Sequence, residues 1–300
     1  MTGVFHWFII FFGWGSILLF VILTVYKIYR IATLPLNLRW EVYPVPHEPK
    51  ERRTYGGSYM EQTNWAQKPS RPSLLAELGE MVGEIFFLNR VRKYNPYGLW
   101  PLSLAMHWGL YLLLAWIALL TAAHWIPIPE PVASVTGGVA FVLGMFGSLG
   151  LIVKRATDKS LSLYTAPVDY FNLAFLAAIF GLGLLSWAIG PGFLHHQAYL
   201  VSLITFVPAH HPAAVVAMFF TLQIFAIYMP LSKLIHYAMK HFTFTKILWD
   251  DAFMVKNSRN DRRIMRQLAY MKDWSAPHIG QGKTWLEDAQ RAPAVDQGKQ

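Results

Sequence analysis

The residues of this chain with the clearest capacity for chemistry are its 11 histidines, because cysteine is absent. A chain without cysteine has no disulfide, no thiolate metal site, no iron–sulfur ligand and no C-x-x-C-H attachment of a c-type haem. Any redox cofactor that it holds must be bound by histidine or methionine. Four histidines stand near the ends of two apolar stretches: His107 and His124 in one, His211 and His236 in the other. Neutral imidazole is a normal axial ligand of haem iron, and polar residues in such stretches are usually functional because they are costly to bury.

The composition predicts a membrane protein. The 300 residues are 54% hydrophobic and only 14% charged, which lies outside the range of ordinary soluble domains. A span needs about 20 largely apolar residues. Five segments qualify: 7–26, 99–126, 132–153, 170–189 and 212–237. The first is expected to be a retained span and not a cleaved signal, because no small-residue cleavage site follows it. The expected fold class is an all-α membrane protein with five transmembrane helices.

The charges predict the orientation of these spans. Lys and Arg number 11 between spans one and two, 3 between spans three and four, and 12 from Lys233 to the end of the chain, which is every basic residue in the chain. The positive-inside rule therefore places the N-terminus outside and the C-terminus in the cytoplasm. On this topology the net charge of +9 indicates attraction to anionic lipid and not nucleic-acid binding.

Four regions follow from this topology. Residues 1–30 form a first transmembrane helix, 31–98 a cytoplasmic arm, 99–241 a four-helix bundle, and 242–300 a cytoplasmic tail. Within the arm, residues 35–72 are expected to be extended, and apolar residues from Leu74 to Phe86 recur with helical period. The second segment is predicted to be an interfacial helix or part of a docking surface for a cytoplasmic partner. In the tail, 257–273 is predicted to be a short helix, and the tail is expected to contact a peripheral partner.

The histidines can be paired across the bundle. Spans two and five are antiparallel, so His107 is expected to meet His236 on the cytoplasmic side, and His124 to meet His211 or His210 on the outer side. If span five is one helix, His211 and His236 return to within roughly 20° of the same face, whereas His107 and His124 lie roughly 100° apart. This geometry favours the inner pair over the outer pair.

Pro230-Leu-Ser-Lys-Leu-Ile-His236 closes the last span, with a histidine early in span two. This pattern resembles the cytochrome b subunits of the respiratory nitrate reductase gamma family. The tail segment beginning Trp274-Ser-Ala-Pro-His278 looks more like the branch found in heterodisulfide-reductase-like complexes of sulfur metabolism, the Dsr and Tmc type. The resemblance covers the five spans. It implies a bis-histidine inner haem b on His107 and His236, a quinone site near an outer haem, and a cytoplasmic iron–sulfur partner.

One departure concerns the outer haem. Its ligand positions in the family fall here on Ile117 and Met218, and isoleucine cannot bind iron. The second haem has therefore either moved outward to His124 and His211 or is missing. Each of these histidines is displaced outward by the same seven residues, which favours the move.

These patterns together predict a dihaem cytochrome b subunit of the cytoplasmic (inner) membrane. It would carry electrons between the (mena)quinone pool of a respiratory chain and the cytoplasmic iron–sulfur subunit, with the quinone or quinol as substrate. One alternative is a single-haem subunit fed by a periplasmic cytochrome c. Another is a haem-free anchor or transporter, although a transporter is expected to show inverted repeats and charged mid-membrane helices, which this sequence lacks.

Overall fold

The structure is a computed structural model that describes residues 2–34, 44–48, 58–67, 73–190, 192–250, 255–276 and 279–290. Most of the arm predicted over 35–72 lies outside these residues, as do Pro277 and His278 of the tail motif. Where the chain is described, the fold is all-α. Its only β pairing consists of isolated bridges in the tail.

Among the described residues, five helical segments are long and apolar enough to cross a membrane, which confirms the predicted number of spans. The first three are α1 (Thr2–Ala32), α4 (Trp100–Ala122) and α5 (Glu130–Thr157), and the last two are α7 (Pro167–Ala188) and α9 (Ala213–Tyr228). Shorter helices connect them: α2 (Leu74–Phe87), α3 (Asn89–Tyr94), α6 (Lys159–Ser162) and α8 (Leu194–Thr205). Three more follow the last span: α10 (His236–His241), α11 (Arg259–Leu268) and α12 (Trp285–Ala289). The chain is a multi-pass membrane protein.

The chain divides into two compact units, of which one comprises Met1–Lys27 and Leu78–Tyr237. Its core joins the inward faces of the spans. Spans two and three pack backbone to backbone, because a Cβ added at Gly109 would meet the backbone of Gly144, and one added at Gly147 would meet the backbone of Met106. Small residues are what permit such close helix approach in membranes. This contact fixes α4, which carries His107, against α5.

Span five is not the continuous helix that the sequence analysis assumed. It is α-helical only to Tyr228, and 3-10 turns follow at Met229–Leu231 and Lys233–Ile235. Ser232 between them is extended, and its Oγ accepts from the Leu234 N–H. Pro230 causes the break because it has no N–H for the i−4 carbonyl and its ring clashes with that turn.

At the side of His124 and His211, both helices are also shorter than the predicted spans. The last span begins at Ala213 after Pro212, so His211 lies before the helix. Helix α4 ends at Ala122, and His124 lies in the turn that follows, with its N–H bonded to the Thr121 carbonyl. His211 and His236 therefore do not share a helix face. The comparison of side-chain directions that assumed one continuous helix therefore does not apply to this pair.

The outer loop between spans four and five contains the amphipathic helix α8. His196, Tyr199, Leu200 and Leu203 recur at helical spacing on its buried face. It contacts both α4 and α9, and the Trp14 Nε1–H of α1 donates to the Leu203 carbonyl at 2.9 Å. Helix α8 packs into the outer end of the bundle.

The second unit comprises Ile28–Glu77 and Ala238–Gln300. In it a π-helix, Phe242–Leu248, follows α10, and α11 lies within the predicted helical segment 257–273. Bridges Met271–Thr284 and Ala276–Ile279 organise the non-helical tail segment. The rings of Trp274 and Trp285 contact each other at 6.1 Å.

Candidate functional site

The structure brings the predicted inner histidines together. The ring centroids of His107, on α4, and His236, at the start of α10, are 6.3 Å apart, with an interplanar angle of 64°. These residues are 129 positions apart in the chain. The fold, and not local sequence, therefore creates this pair.

Both rings are oriented by backbone carbonyls. His107 Nδ1 lies 2.7 Å from the Ser103 carbonyl oxygen, and His236 Nδ1 lies 3.2 Å from the Lys233 carbonyl oxygen. A carbonyl can only accept, so each Nδ1 carries the hydrogen. In the neutral imidazole the lone pair is then on Nε2. A ring fixed through Nδ1–H by a backbone carbonyl, with Nε2 as the coordinating atom, is the usual arrangement of a metal-ligating histidine.

His236 is positioned by the break in span five. Three residues before His236, Lys233 Nζ lies 3.2 Å from Asp169 Oδ1 at the start of α7. The next residue, Tyr237, shares a 2.7 Å hydrogen bond with Thr24 of α1. Above the break, the Tyr228 hydroxyl donates to Asn172 Oδ1 at 2.7 Å. The irregular segment therefore has side-chain contacts to spans four and one on both sides of the histidine.

His107 is positioned by regular helix and by neighbouring rings. It lies within α4, one residue after the Met106 backbone that packs on Gly147. The Tyr111 ring contacts the His107 ring at 6.3 Å, and the Tyr111 hydroxyl donates to the Ile85 carbonyl of α2 at 2.8 Å. Its surroundings are therefore rigid and mainly apolar.

The inner pair fits the axial ligands of a haem. Two imidazoles on opposite sides of one iron, at iron–nitrogen distances of about 2 Å, place their ring centroids roughly 6 to 6.5 Å apart. The observed 6.3 Å agrees with that separation. The donor set is two neutral imidazoles, as in low-spin b-type cytochromes, and the orienting carbonyls define the correct tautomer. Among the described residues no group of three or more His, Asp or Glu side chains could hold a metal ion.

The outer histidines have different surroundings. The His124 ring is exposed and contacts Trp125 at 5.0 Å. His211 is buried, and its ring contacts Tyr199 at 5.2 Å. The ring contacts of the described residues do not include a His124–His211 pair. His210, the other candidate ligand, lies 6.0 Å from the ring of His6.

Hydrogen bonding also argues against His211 Nε2 as a ligand atom in this arrangement. Ser202 Oγ donates its one proton to the Tyr199 carbonyl at 2.8 Å and lies 3.0 Å from His211 Nε2. The serine oxygen therefore accepts from Nε2–H. The ring contacts of the described residues do not bring the outer pair together, and the second haem stays a prediction.

Aromatic rings occupy the space between spans two and five at the outer side. Trp116 of α4 and Phe219 of α9 are both almost fully buried, with stacked rings 6.3 Å apart. Tyr199 of α8 stacks on Phe219 at 4.4 Å, and the His196 ring contacts Trp116 at 5.3 Å. Ile117 and Met218, the two family positions, belong to the same apolar core. Trp116 and Phe219 directly adjoin these two positions in the chain, so packed aromatic rings lie beside them.

His196 is a buried residue that the sequence analysis did not select. It is 1% exposed, and burial lowers its pKa to about 4, with His195 contributing a smaller effect. Burial also lowers the pKa of His211, followed by the nearby His6. The helical period of 196, 199, 200 and 203 in an otherwise apolar loop was the signal that could have identified this buried face.

Comparisons of the chain with protein-family models, with curated proteins and with solved structures found no match. The family resemblance stated above therefore has only the residues of the chain as its basis.

Proposed function

We propose that this protein is a haem b-binding electron-transfer subunit of a membrane oxidoreductase complex, with His107 and His236 as the axial ligands of the inner haem. The observation that carries the proposal is the 6.3 Å separation of two imidazole rings that both face backbone carbonyls through Nδ1. The charge distribution supports a location of this histidine pair on the cytoplasmic side of the inner membrane, because the loops next to both histidines contain the basic residues.

Each part of the chain has a definite task in this function. A haem in this position would supply reversible one-electron transfer. His107 and His236 would hold the iron by Nε2, and the Ser103 and Lys233 carbonyls keep each ring in the tautomer that this needs. The chain moves no proton at this site, because both Nδ1 hydrogens are engaged by carbonyls.

The chain has no cysteine and hence no iron–sulfur centre of its own, so it needs a partner to pass electrons onward. We place that partner, an iron–sulfur subunit of the heterodisulfide-reductase-like kind, on the cytoplasmic side where the basic arm and tail lie. The other electron-exchange partner is the quinone pool or a periplasmic cytochrome c. The packed outer half of the bundle favours the single-haem form of the protein over the dihaem form.

The direct test is a reduced-minus-oxidised absorbance spectrum of the purified protein, with haem counted per chain. The expected result is a b-type spectrum that disappears in His236→Ala. A matched control is His124→Ala, which removes an exposed histidine whose ring contacts Trp125. It is expected to leave the spectrum unchanged.

The outcomes distinguish the alternatives. A second haem that is lost in His124→Ala supports the dihaem prediction. A haem that survives in His236→Ala overturns the assignment of the inner pair. Absence of any haem in protein that elutes as a monodisperse species from size exclusion supports the haem-free anchor.

A further inference from the structure

Helix α2 ends against the side of span two in an unusual way. The Trp100 Nε1–H donates to the Phe87 carbonyl at 2.8 Å, and the Trp108 Nε1–H donates to the Phe86 carbonyl at 3.0 Å. The Tyr111 hydroxyl donates to the Ile85 carbonyl at 2.8 Å. Three consecutive carbonyls of one helix are therefore satisfied by three side chains of another.

This accounts for the whole C-terminal end of α2. The last four carbonyls of a helix have no partner within it. Besides the three just described, the Glu84 carbonyl accepts from the Leu88 N–H at 3.2 Å. The Glu84 carboxylate is buried and accepts from the Arg90 N–H at the start of α3, 2.9 Å away. A helix end in water has no need of such complete pairing, whereas in hydrocarbon every backbone group must be satisfied by the protein.

The position of the donors indicates the depth of this helix end. Trp100 is the first residue of α4, and Tyr111 lies about 16 Å further along the span at 1.5 Å per residue. The three acceptor carbonyls are consecutive in α2, so they lie between the levels of Trp100 and Tyr111, roughly 8 Å beyond the start of span two. That distance is about half the thickness of one leaflet of a hydrocarbon core roughly 30 Å thick.

The outward face of the same helix is apolar. Leu78, Val82, Ile85 and Phe86 recur at i, i+4, i+7 and i+8, and all are exposed, from 38% to 49%. Phe86 lies at the edge of this face, because its ring also contacts the rings of Trp108 and Tyr111. The acidic residues Glu80 and Glu84 lie on the other side of the helix. The three hydrogen bonds hold α2 directly against the side of span two.

We propose that α2 is a half-membrane helix whose C-terminal end is immersed in the inner leaflet, with acyl chains covering Leu78, Val82, Ile85 and Phe86. Trp100, Trp108 and Tyr111 are the residues that make this possible, because they satisfy the carbonyls at that depth. The chain then returns to the surface through Leu88, in the left-handed region at φ 49°, and the basic helix α3. This inference is independent of haem binding.

The absence of cysteine allows a direct test with single spin-labelled cysteines in the full-length chain, reconstituted in phospholipid vesicles. The variants are Leu78→Cys, Val82→Cys and Phe86→Cys. Collision with oxygen, which concentrates in lipid, is compared with collision with a water-soluble nickel chelate. The expected result is an oxygen-to-nickel ratio that increases from 78 to 82 to 86.

Two control positions calibrate the measurement. Leu18→Cys, exposed in the middle of span one, reports lipid, and Lys159→Cys, exposed between spans three and four, reports water. A Phe86 site that behaves like Lys159 overturns the proposal. Low collision with both reagents at Val82 and Phe86 also overturns it, because that result shows a protein covering the face. The change Trp108→Phe removes one donor and is expected to raise nickel access at residue 86.

Discussion

Replacing Gly147 by Ala is expected to disturb the cofactor site through the backbone of span two. A Cβ at residue 147 would lie 2.7 Å from the Leu102 carbonyl oxygen and closer still to the backbone of Met106, the residue before His107. Neither contact can be relieved by a side-chain rotation, so the backbones of α4 and α5 must separate. Overpacking of this kind costs about 1 to 3 kcal/mol.

Gly138→Ala is the matched control on the same helix. A Cβ there would lie 3.7 Å from the Trp187 ring, which is ordinary van der Waals contact. Because alanine is a better helix former than glycine, this change is expected to be neutral or to stabilise by up to about 1 kcal/mol.

Thermal unfolding of the two detergent-solubilised variants measures the difference, and haem content measures the effect on the site. The expected result is a lower midpoint and reduced haem per chain for Gly147→Ala only. Equal midpoints for the two variants, with equal haem, would refute the backbone contact between spans two and three as the element that positions His107.

Two further predictions concern stability. The pKa of buried His196 is about 4, below its ordinary value of 6.5, so between these values the unfolded chain binds more protons and stability decreases as the pH falls. The loss of stability is roughly 3 kcal/mol across that pH window. Unfolding midpoints at pH 7 and pH 4.5 are therefore expected to differ less in His196→Gln than in the wild type. An unchanged difference between the two midpoints contradicts His196 as the origin of the pH dependence. Tyr228→Phe removes the hydroxyl that donates to Asn172 and is expected to destabilise by about 1 kcal/mol. The Tyr237 hydroxyl bonds to Thr24 at an exposed position, so Tyr237→Phe is expected to lose less stability. A larger loss of stability in Tyr237→Phe than in Tyr228→Phe contradicts the assigned importance of the Tyr228 contact.

The hydropathy of the chain determined most of its architecture. A span must be apolar over a length set by the bilayer, so five such segments predict five helices without knowledge of their packing. The observed helix bounds differ from the predicted spans by up to nine residues: α1 continues past its predicted end to Ala32, whereas α9 ends at Tyr228 because Pro230 breaks the span. The inner histidine pair was also predictable, since antiparallel spans bring an early residue of one beside a late residue of the other.

The outer side was decided by tertiary structure. No periodicity in span two or span five indicated that α8 would pack between them, because a short apolar run in a loop is compatible with lying on the bilayer or entering the bundle. Pro230 interrupts the helix of span five, yet only packing against spans one and four decides where His236 then points. A ligand pair depends on distances between separate helices, and those distances are a property of the folded bundle and not of spacing along the chain.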